Sequence, residues 1–265
     1  MLKLALLALL AAAPACAQFV DVPGLAENLG GLKFSRQEFQ TESTAPKEKP
    51  DVSKYSVRGL DVSRYEKTID WGKLDKSGLS FVFVQATHGL SFVDWEFENN
   101  WKGSAKTGLQ RSAYHFYDFC KGGAAQADFF IKTVPQEAGL LPMVIDLEQN
   151  ALCKKMPARD AFRKDLAAFV TKVTARYGLK PILYINASIY TQYLEAGDGY
   201  KLWIADPNHK SPQMPDGQPW AFWQYDWHGK ASGIDGEVDL DVFNGTPELL
   251  AGLERPSGAM LAALR

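Results

Sequence analysis

The sequence predicts an α/β barrel whose last strands run antiparallel, and two features predict it. From Val57 onward, short apolar runs alternate with amphipathic segments, the pattern of a mostly parallel sheet with helices outside it. Near the C-terminus the alternation stops, and two strand-like stretches follow with only a turn-rich loop between them, which reads as a hairpin. The length agrees, since 265 residues suit one substantial domain of this class. Hydrophobic residues make up 46% and charged residues 23% of the chain, which excludes a disordered or collagen-like protein.

The elements follow in order. Met1-Leu2-Lys3 is a short basic start, Leu4 to Ala13 an unbroken Leu/Ala run, and Ala15-Cys16-Ala17 a small-x-small cleavage pattern. These predict a signal peptide over residues 1–17 and export to the periplasm or beyond. A second reading makes Cys16 a lipid anchor, although Ala13 stands where such signals usually carry a large aliphatic residue. The run is shorter than the roughly 20 apolar residues a membrane span needs, and no other stretch qualifies. Residues 18–55 read as a poorly ordered linker, because Thr41 to Pro50 is polar and Pro-containing with no apolar period. The folded domain is expected over residues 56–265.

Within it, strands are expected at Val57–Val62, Leu79–Ala86, Arg111–Phe116, Pro142–Glu148, Pro181–Ile185 and Lys201–Ala205, with the hairpin formed by Trp220–Trp227 and Glu237–Phe243. The clearest helix is Pro157–Tyr177, where Phe162, Leu166, Phe169, Val173 and Tyr177 recur at helical spacing and Gly178 offers a left-handed stop. Cys120 and Cys153 each lie just beyond a strand end. An oxidising compartment permits them to pair, and sequence leaves the pairing open.

The strongest chemical signal is Val144-Ile145-Asp146-Leu147-Glu148. Strand alternation puts both carboxylates on one face, their Cα atoms about 6.6 Å apart. Crowded acids at a strand end push their pKa values apart, so that one keeps a proton near neutrality and serves as an acid. The competing reading is an acid that caps a helix or pairs with Arg159. Asp61 ends the first strand, and Asp239 and Asp241 share a face of the last. If the barrel closes, Asp61 meets Asp239 beside the Asp146/Glu148 pair.

Other chemistries lack their motifs: there is no G-x-S-x-G, Walker loop or H-E-x-x-H. His88, His115, His209 and His228 have no metal-ligand spacing, although His115 lies in a strand and is a candidate to line the site, and no metal is expected. A formal charge of −2 gives no support to nucleic-acid binding. Tyr114, Tyr184, Trp203, Trp223, Tyr225 and Trp227 fall near strand ends. Aromatic faces pack on the C–H faces of sugar rings, so acids in a barrel mouth ringed by aromatics read as a glycosidase.

These pieces in this order resemble glycoside hydrolase family 25, the Chalaropsis-type lysozymes or N-acetylmuramidases. The resemblance rests on G-L-D-V-S at Gly59–Ser63, I-D-W at Ile69–Trp71, F-V-F-V-Q-A-T-H-G at Phe81–Gly89, A-Y-H-F at Ala113–Phe116 and Q-A-D-F-F at Gln126–Phe130. It continues with L-P-M-V-I-D-L-E at Leu141–Glu148, L-W-I-A at Leu202–Ala205, W-Q-Y at Trp223–Tyr225 and V-D-L-D-V-F at Val238–Phe243. It implies an incomplete, flattened, TIM-like β/α barrel that cleaves the β-1,4 bond between N-acetylmuramic acid and N-acetylglucosamine in peptidoglycan glycan strands. It implies Glu148 as general acid, Asp146 as its partner, Asp61 and Asp239 as supporting acids, Tyr184 as a site tyrosine, and no cofactor. Trp203, Tyr114, His115, Tyr225, Gln85 and His88 are the further substrate-binding candidates, and a monomer is expected.

The chain departs from the family's usual pattern at Gln85 and His88, where Lys and Glu are commoner, and at Glu66, Asp206 and Asp241. None of these removes the acid pair. An i, i+2 pair does not decide between retention and inversion. A route in which the substrate's own 2-acetamido group attacks, with Asp146 holding its N–H, is the favoured hypothesis. The rivals are a chitinase-like barrel, which also carries D-x-E acids, and a non-catalytic wall-binding module, which would be expected to lack an acid.

Overall fold

The computed structural model describes residues 48–75, 77–149 and 153–254; the leader, Cys16 and most of the linker lie outside them. The strands are β1 (Val57–Val62), β2 (Phe81–His88), β3 (Phe92–Val93), β4 (Gln110–Phe116), β5 (Val144–Leu147), β6 (Ile182–Ile185), β7 (Leu202–Ala205), β8 (Phe222–Gly229) and β9 (Val238–Phe243). The helices are α1 (Trp71–Leu74), α2 (Phe97–Ser104), α3 (Gly123–Thr133), α4 (Arg159–Tyr177), α5 (Ala187–Tyr193) and α6 (Pro247–Ala251).

Parallel pairing runs from β1 through β2, β4, β5, β6 and β7 to β8. β9 is antiparallel to both β8 and β1 and closes the ring. The short β3 pairs antiparallel with the end of β2, outside the barrel wall. The antiparallel C-terminal strands expected from the sequence are therefore present, and so is the meeting of first and last strands.

Strand alternation sorts the side chains. Val57, Phe81, Phe83, Val144, Ile182, Trp203, Phe222 and Phe243 pack together inside the barrel. Leu60, Val82, Val84, Ala113, Ile145, Leu147, Leu183, Ile185 and Ile204 face outward and are buried beneath the helices. The helix α4 buries Phe162, Leu166, Phe169, Val173 and Tyr177 and ends at Gly178 with φ +82°, where a glycine avoids the Cβ clash of the left-handed region. A Cβ on Gly123, at the start of α3, would lie 1.9 Å from the carbonyl oxygen of Asp165, so this glycine lets α3 approach α4.

Two loops at the carboxyl ends of neighbouring strands are tied together. Cys120, after β4, is bridged to Cys153, after β5, with Cα atoms 5.3 Å apart. The end of the expected linker is not loose: Glu48 N–H donates to Asn208 O and Asp51 N–H to Lys210 O, and the Tyr55 ring packs 5.5 Å from Trp220 and 6.0 Å from Trp223. Tyr55 and Val52 supply the apolar anchors there, which a reading centred on the polar Thr41–Pro50 stretch passed over.

Candidate active site

The barrel interior changes character toward the carboxyl ends of its parallel strands. Phe81, Phe83, Phe222 and Trp203 form an aromatic plug, with Phe83 and Trp203 ring centroids 4.5 Å apart. One step further along the same faces the side chains turn polar. They are Asp61 on β1, Gln85 on β2, Asp146 on β5, Tyr184 on β6, Gln224 on β8 and Asp239 on β9.

Asp146 and Glu148 stand on one face because β5 alternates, Asp146 within the strand and Glu148 just past its end. Asp146 lies opposite Phe116 of β4 and Tyr184 of β6. Across the ring, the antiparallel register sets Asp61 directly opposite Asp239. Tyr184 reports the convergence: burial pushes its hydroxyl well above the ordinary range, and Glu148, Asp146, Asp61 and Asp239 all push it the same way. All four acids singled out in the sequence therefore surround one phenol.

The electrostatics follow from that crowding. Burial raises Asp146 well above the usual carboxylate range, and repulsion from Glu148 adds to it. Glu148 is pushed up to about 8, mainly by burial and then by repulsion from Asp239; the hydroxyl of Tyr184, within hydrogen-bond reach, works the other way. Two carboxyls in this state share protons as a unit. Near neutrality the pair keeps a proton to give, which is the requirement for acid catalysis. The buried Oδ1 of Asp146 has no hydrogen-bond partner among the described residues, so an acceptor is left for whatever the mouth binds.

Gln224 organises the opposite wall. Its Nε2 donates to Asp61 Oδ2 at 2.7 Å, while its Oε1 accepts from Tyr184 Oη at 2.6 Å and from Trp227 Nε1 at 2.7 Å. Sequence reasoning names Trp227 only among the aromatics near strand ends and does not single out Gln224. The signal was present, because a polar residue two positions after Phe222 falls on the inner face of β8. Asp241, one inward step from Asp239, accepts from Trp203 Nε1 at 2.7 Å and is raised well above the usual range, chiefly by burial.

The remaining candidates divide. Gln85 and Tyr114 are register partners on adjacent strands, and both are buried at the mouth. A register shift between Gln85 and Thr87 brings His88 near Phe116, with ring centroids 4.6 Å apart. Burial pushes the His88 imidazole down to about 4, and the Arg64 cation adds to this against the pull of Asp118. Trp203 is only 2% exposed and lies in the plug, so it supports the mouth from below and offers no face to a ligand.

Two candidates stand elsewhere, and here the structure corrects the sequence reading. His115 is fully buried on the outer face of β4, against Phe130 of α3 and Phe169 of α4. Gln126 Oε1 accepts the backbone N–H of Asp118 while its amide donates to Asp118 O. That fixed carbonyl leaves His115 Nε2 as the donor at 3.1 Å and Nδ1 as acceptor of the Thr87 hydroxyl at 2.7 Å. The ring is a neutral structural bridge, pushed down to about 3 by burial. Tyr225 likewise faces outward, its ring 5.9 Å from Trp223 in the cluster that receives Tyr55. In both cases the period-2 alternation excludes the inner face.

Comparison with known proteins agrees with this architecture. Residues 60–234 match the model of glycosyl hydrolases family 25. The Escherichia coli protein named "Uncharacterized protein YegX" is 38% identical over 205 residues, spanning 75% of this chain and 73% of its own length. Lysozyme M1 of Streptomyces globisporus is 31% identical over 209 residues, 74% of this chain and 71% of its own. Among solved structures, a family 25 glycosyl hydrolase from Bacillus anthracis superposes with a TM-score of 0.72 at 35% identity, covering 80% of this chain and 99% of that one.

Proposed function

Because the chain belongs to glycosyl hydrolase family 25, we propose that it is an N-acetylmuramidase that hydrolyses the β-1,4 bond between N-acetylmuramic acid and N-acetylglucosamine in peptidoglycan. The observation that carries this reading is the Asp146/Glu148 pair at the barrel mouth, both raised chiefly by burial, Asp146 further by Glu148 and Glu148 further by Asp239. Glu148 is the general acid. Its proton goes to the glycosidic oxygen as the bond to the anomeric carbon breaks.

Asp146, with a buried oxygen that has no partner among the described residues, accepts the N–H of the substrate's 2-acetamido group. The acetamido oxygen then attacks the anomeric carbon, and water opens the resulting ring while Glu148, now a carboxylate, takes the proton from that water. Asp61, held by Gln224, and Asp239, its register partner, form the opposite wall and add negative potential where the sugar develops positive charge. Gln85, Tyr114, Tyr184 and His88 border the bound sugars.

Peptidoglycan lies outside the cytoplasmic membrane, so the reading includes export. The Cys120–Cys153 bridge supports an oxidising compartment. No helix among the described residues is long and apolar enough to cross a membrane.

The test is digestion of purified peptidoglycan by the wild-type chain and by Glu148→Gln, with mass analysis of the released sugars. Reducing-end muramic acid from the wild type alone is expected. Reducing-end glucosamine, or cleavage of chitin but not peptidoglycan, overturns the bond assignment. The route is tested separately: retention of configuration with no trappable glycosyl-enzyme is expected, and a covalent adduct on Asp146 overturns it.

A further inference from the structure

Among the described residues, the exposed large apolar side chains are Leu90, Val93, Trp95 and Leu249. Three of them sit in one short stretch around β3, at the rim of the barrel. Trp95 is 66% exposed, an unfavourable place for an indole unless the face is used.

The ring is not on a loose loop. The flanking Asp94 is buried, and its Oδ1 accepts the backbone N–H of Glu96 at 3.0 Å. Arg64 lies beneath, its guanidinium 5.2 Å from the Trp95 ring, 4.9 Å from Phe92 and 4.3 Å from Tyr65. That guanidinium is fastened by Nη1 to Gln85 Oε1 at 3.1 Å and to Asp94 Oδ2 at 3.2 Å, and by Nη2 to Tyr65 Oη at 2.8 Å. Gln85 is an inward-facing residue of the mouth, beside Tyr114, so the platform is joined to the barrel mouth. Asp94 neutralises the Arg64 charge, so the surface presents an aromatic face and not an anion site.

We propose that Trp95 is a glycan-stacking platform that binds a pyranose ring of the peptidoglycan strand beyond the sugars flanking the cleaved bond. An exposed indole anchored on one side by Arg64 and Phe92 has ring surface free to pack on the apolar C–H face of a sugar. The position of the platform at the rim, joined to the mouth through Arg64 and Gln85, selects a sugar distant from the scissile bond. The inference rests on the muramidase reading and extends it to a longer substrate.

Steady-state kinetics on long soluble glycan strands and on the shortest cleavable fragment test it, using the full chain as wild type, Trp95→Ala, Trp95→Phe and Leu249→Ala. Trp95→Ala is expected to raise KM on long strands by roughly 3- to 10-fold with kcat unchanged. Trp95→Phe recovers most of the loss, the short fragment shows no difference, and Leu249→Ala behaves as wild type. An unchanged KM, or equal losses on long and short substrates, overturns the platform. So does Trp95-dependent sedimentation with phosphatidylcholine vesicles alongside an unchanged KM, which makes the patch lipid-facing. A wild type that cleaves nothing defeats the muramidase reading instead. Retention of wild type and Trp95→Ala on insoluble peptidoglycan then decides the platform: equal retention overturns it, and weaker retention of the variant supports it.

Discussion

Glu148→Gln separates the acid's chemistry from its cost to the fold. Burial and Asp239 hold this carboxyl near pH 8, against 4.5 as its ordinary value. Between those values the native state keeps a proton that the unfolded chain has released, so stability is unpenalised below about 4.5 and falls as pH rises toward 8. At pH 7 the gap is about 2.5 units, which at about 1.36 kcal/mol per unit sets a ceiling of roughly 3 kcal/mol. Residual solvent contact and the Tyr184 hydroxyl reduce this, and about 1–3 kcal/mol is the working range. Glutamine is neutral throughout. The variant should therefore be more stable than wild type at pH 7 by that amount and nearly equal to it at pH 4, while losing about 10²- to 10⁴-fold in kcat. Urea unfolding at the two pH values, run beside peptidoglycan digestion, reads both effects. A variant less stable at pH 7, or equally stabilised at both, refutes the electrostatic argument; activity within tenfold of wild type refutes the acid assignment.

In wild type, kcat/KM should decline above pH 8, because the acid works only in its protonated form and its pKa lies at about 8; a pH–rate profile flat to pH 10 would contradict this. Gln224→Leu strips partners from Asp61, Tyr184 and Trp227 at once, so kcat should drop roughly 10- to 100-fold with circular dichroism unchanged. His115→Leu should do the opposite, costing about 1–3 kcal/mol of stability through Thr87 and Gln126 and leaving kcat/KM within about twofold. Reduction of the Cys120–Cys153 bridge, which closes a loop of sequence separation 33, should lower stability by about 3–4 kcal/mol on chain-entropy grounds, read from denaturation with and without reductant.

Most of the barrel was legible because its signals are local. The strand at Val57–Val62 was read to the residue, and the stop at Gly178 follows from a left-handed position that only glycine fills cheaply. The acid pair was legible for the same reason, since i, i+2 on a strand is a one-face relation. What sequence could not supply was the sidedness of isolated strand residues. His115 and Tyr225 carry chemistry-bearing groups, but which face they take depends on register, and in both strands the neighbouring residue holds the inner position. The Gln85/Thr87 register shift was equally invisible, and it decides that His88 reaches the rim. Alternation puts Gln224 on the inner face of β8, but its importance lies in two long-range bonds, to Asp61 and Tyr184, that no local pattern announces.

The reversal of the last strand explains why four acids can share this mouth. In an all-parallel barrel, the residues at the mouth come from the carboxyl ends of every strand, and neighbours meet in parallel register. Here β9 runs the other way, so its beginning lies at the mouth, and Asp239 near that beginning faces Asp61 near the end of β1. A carboxylate pair so placed would repel strongly, and Gln224 answers it by donating one N–H to Asp61 while its carbonyl gathers the Tyr184 and Trp227 donors. The aromatic plug below keeps water out from that side, which leaves the charges to act on one another at low dielectric. Glu148, facing this wall from just past β5, is held protonated mainly by burial and further by Asp239. The acid strength at one side of the cleft is therefore tuned by the strand reversal at the other, and neutralising Asp239 as asparagine should bring the basic limb of the pH–rate profile below about 8, while burial, the larger cause, keeps it above the ordinary value of 4.5.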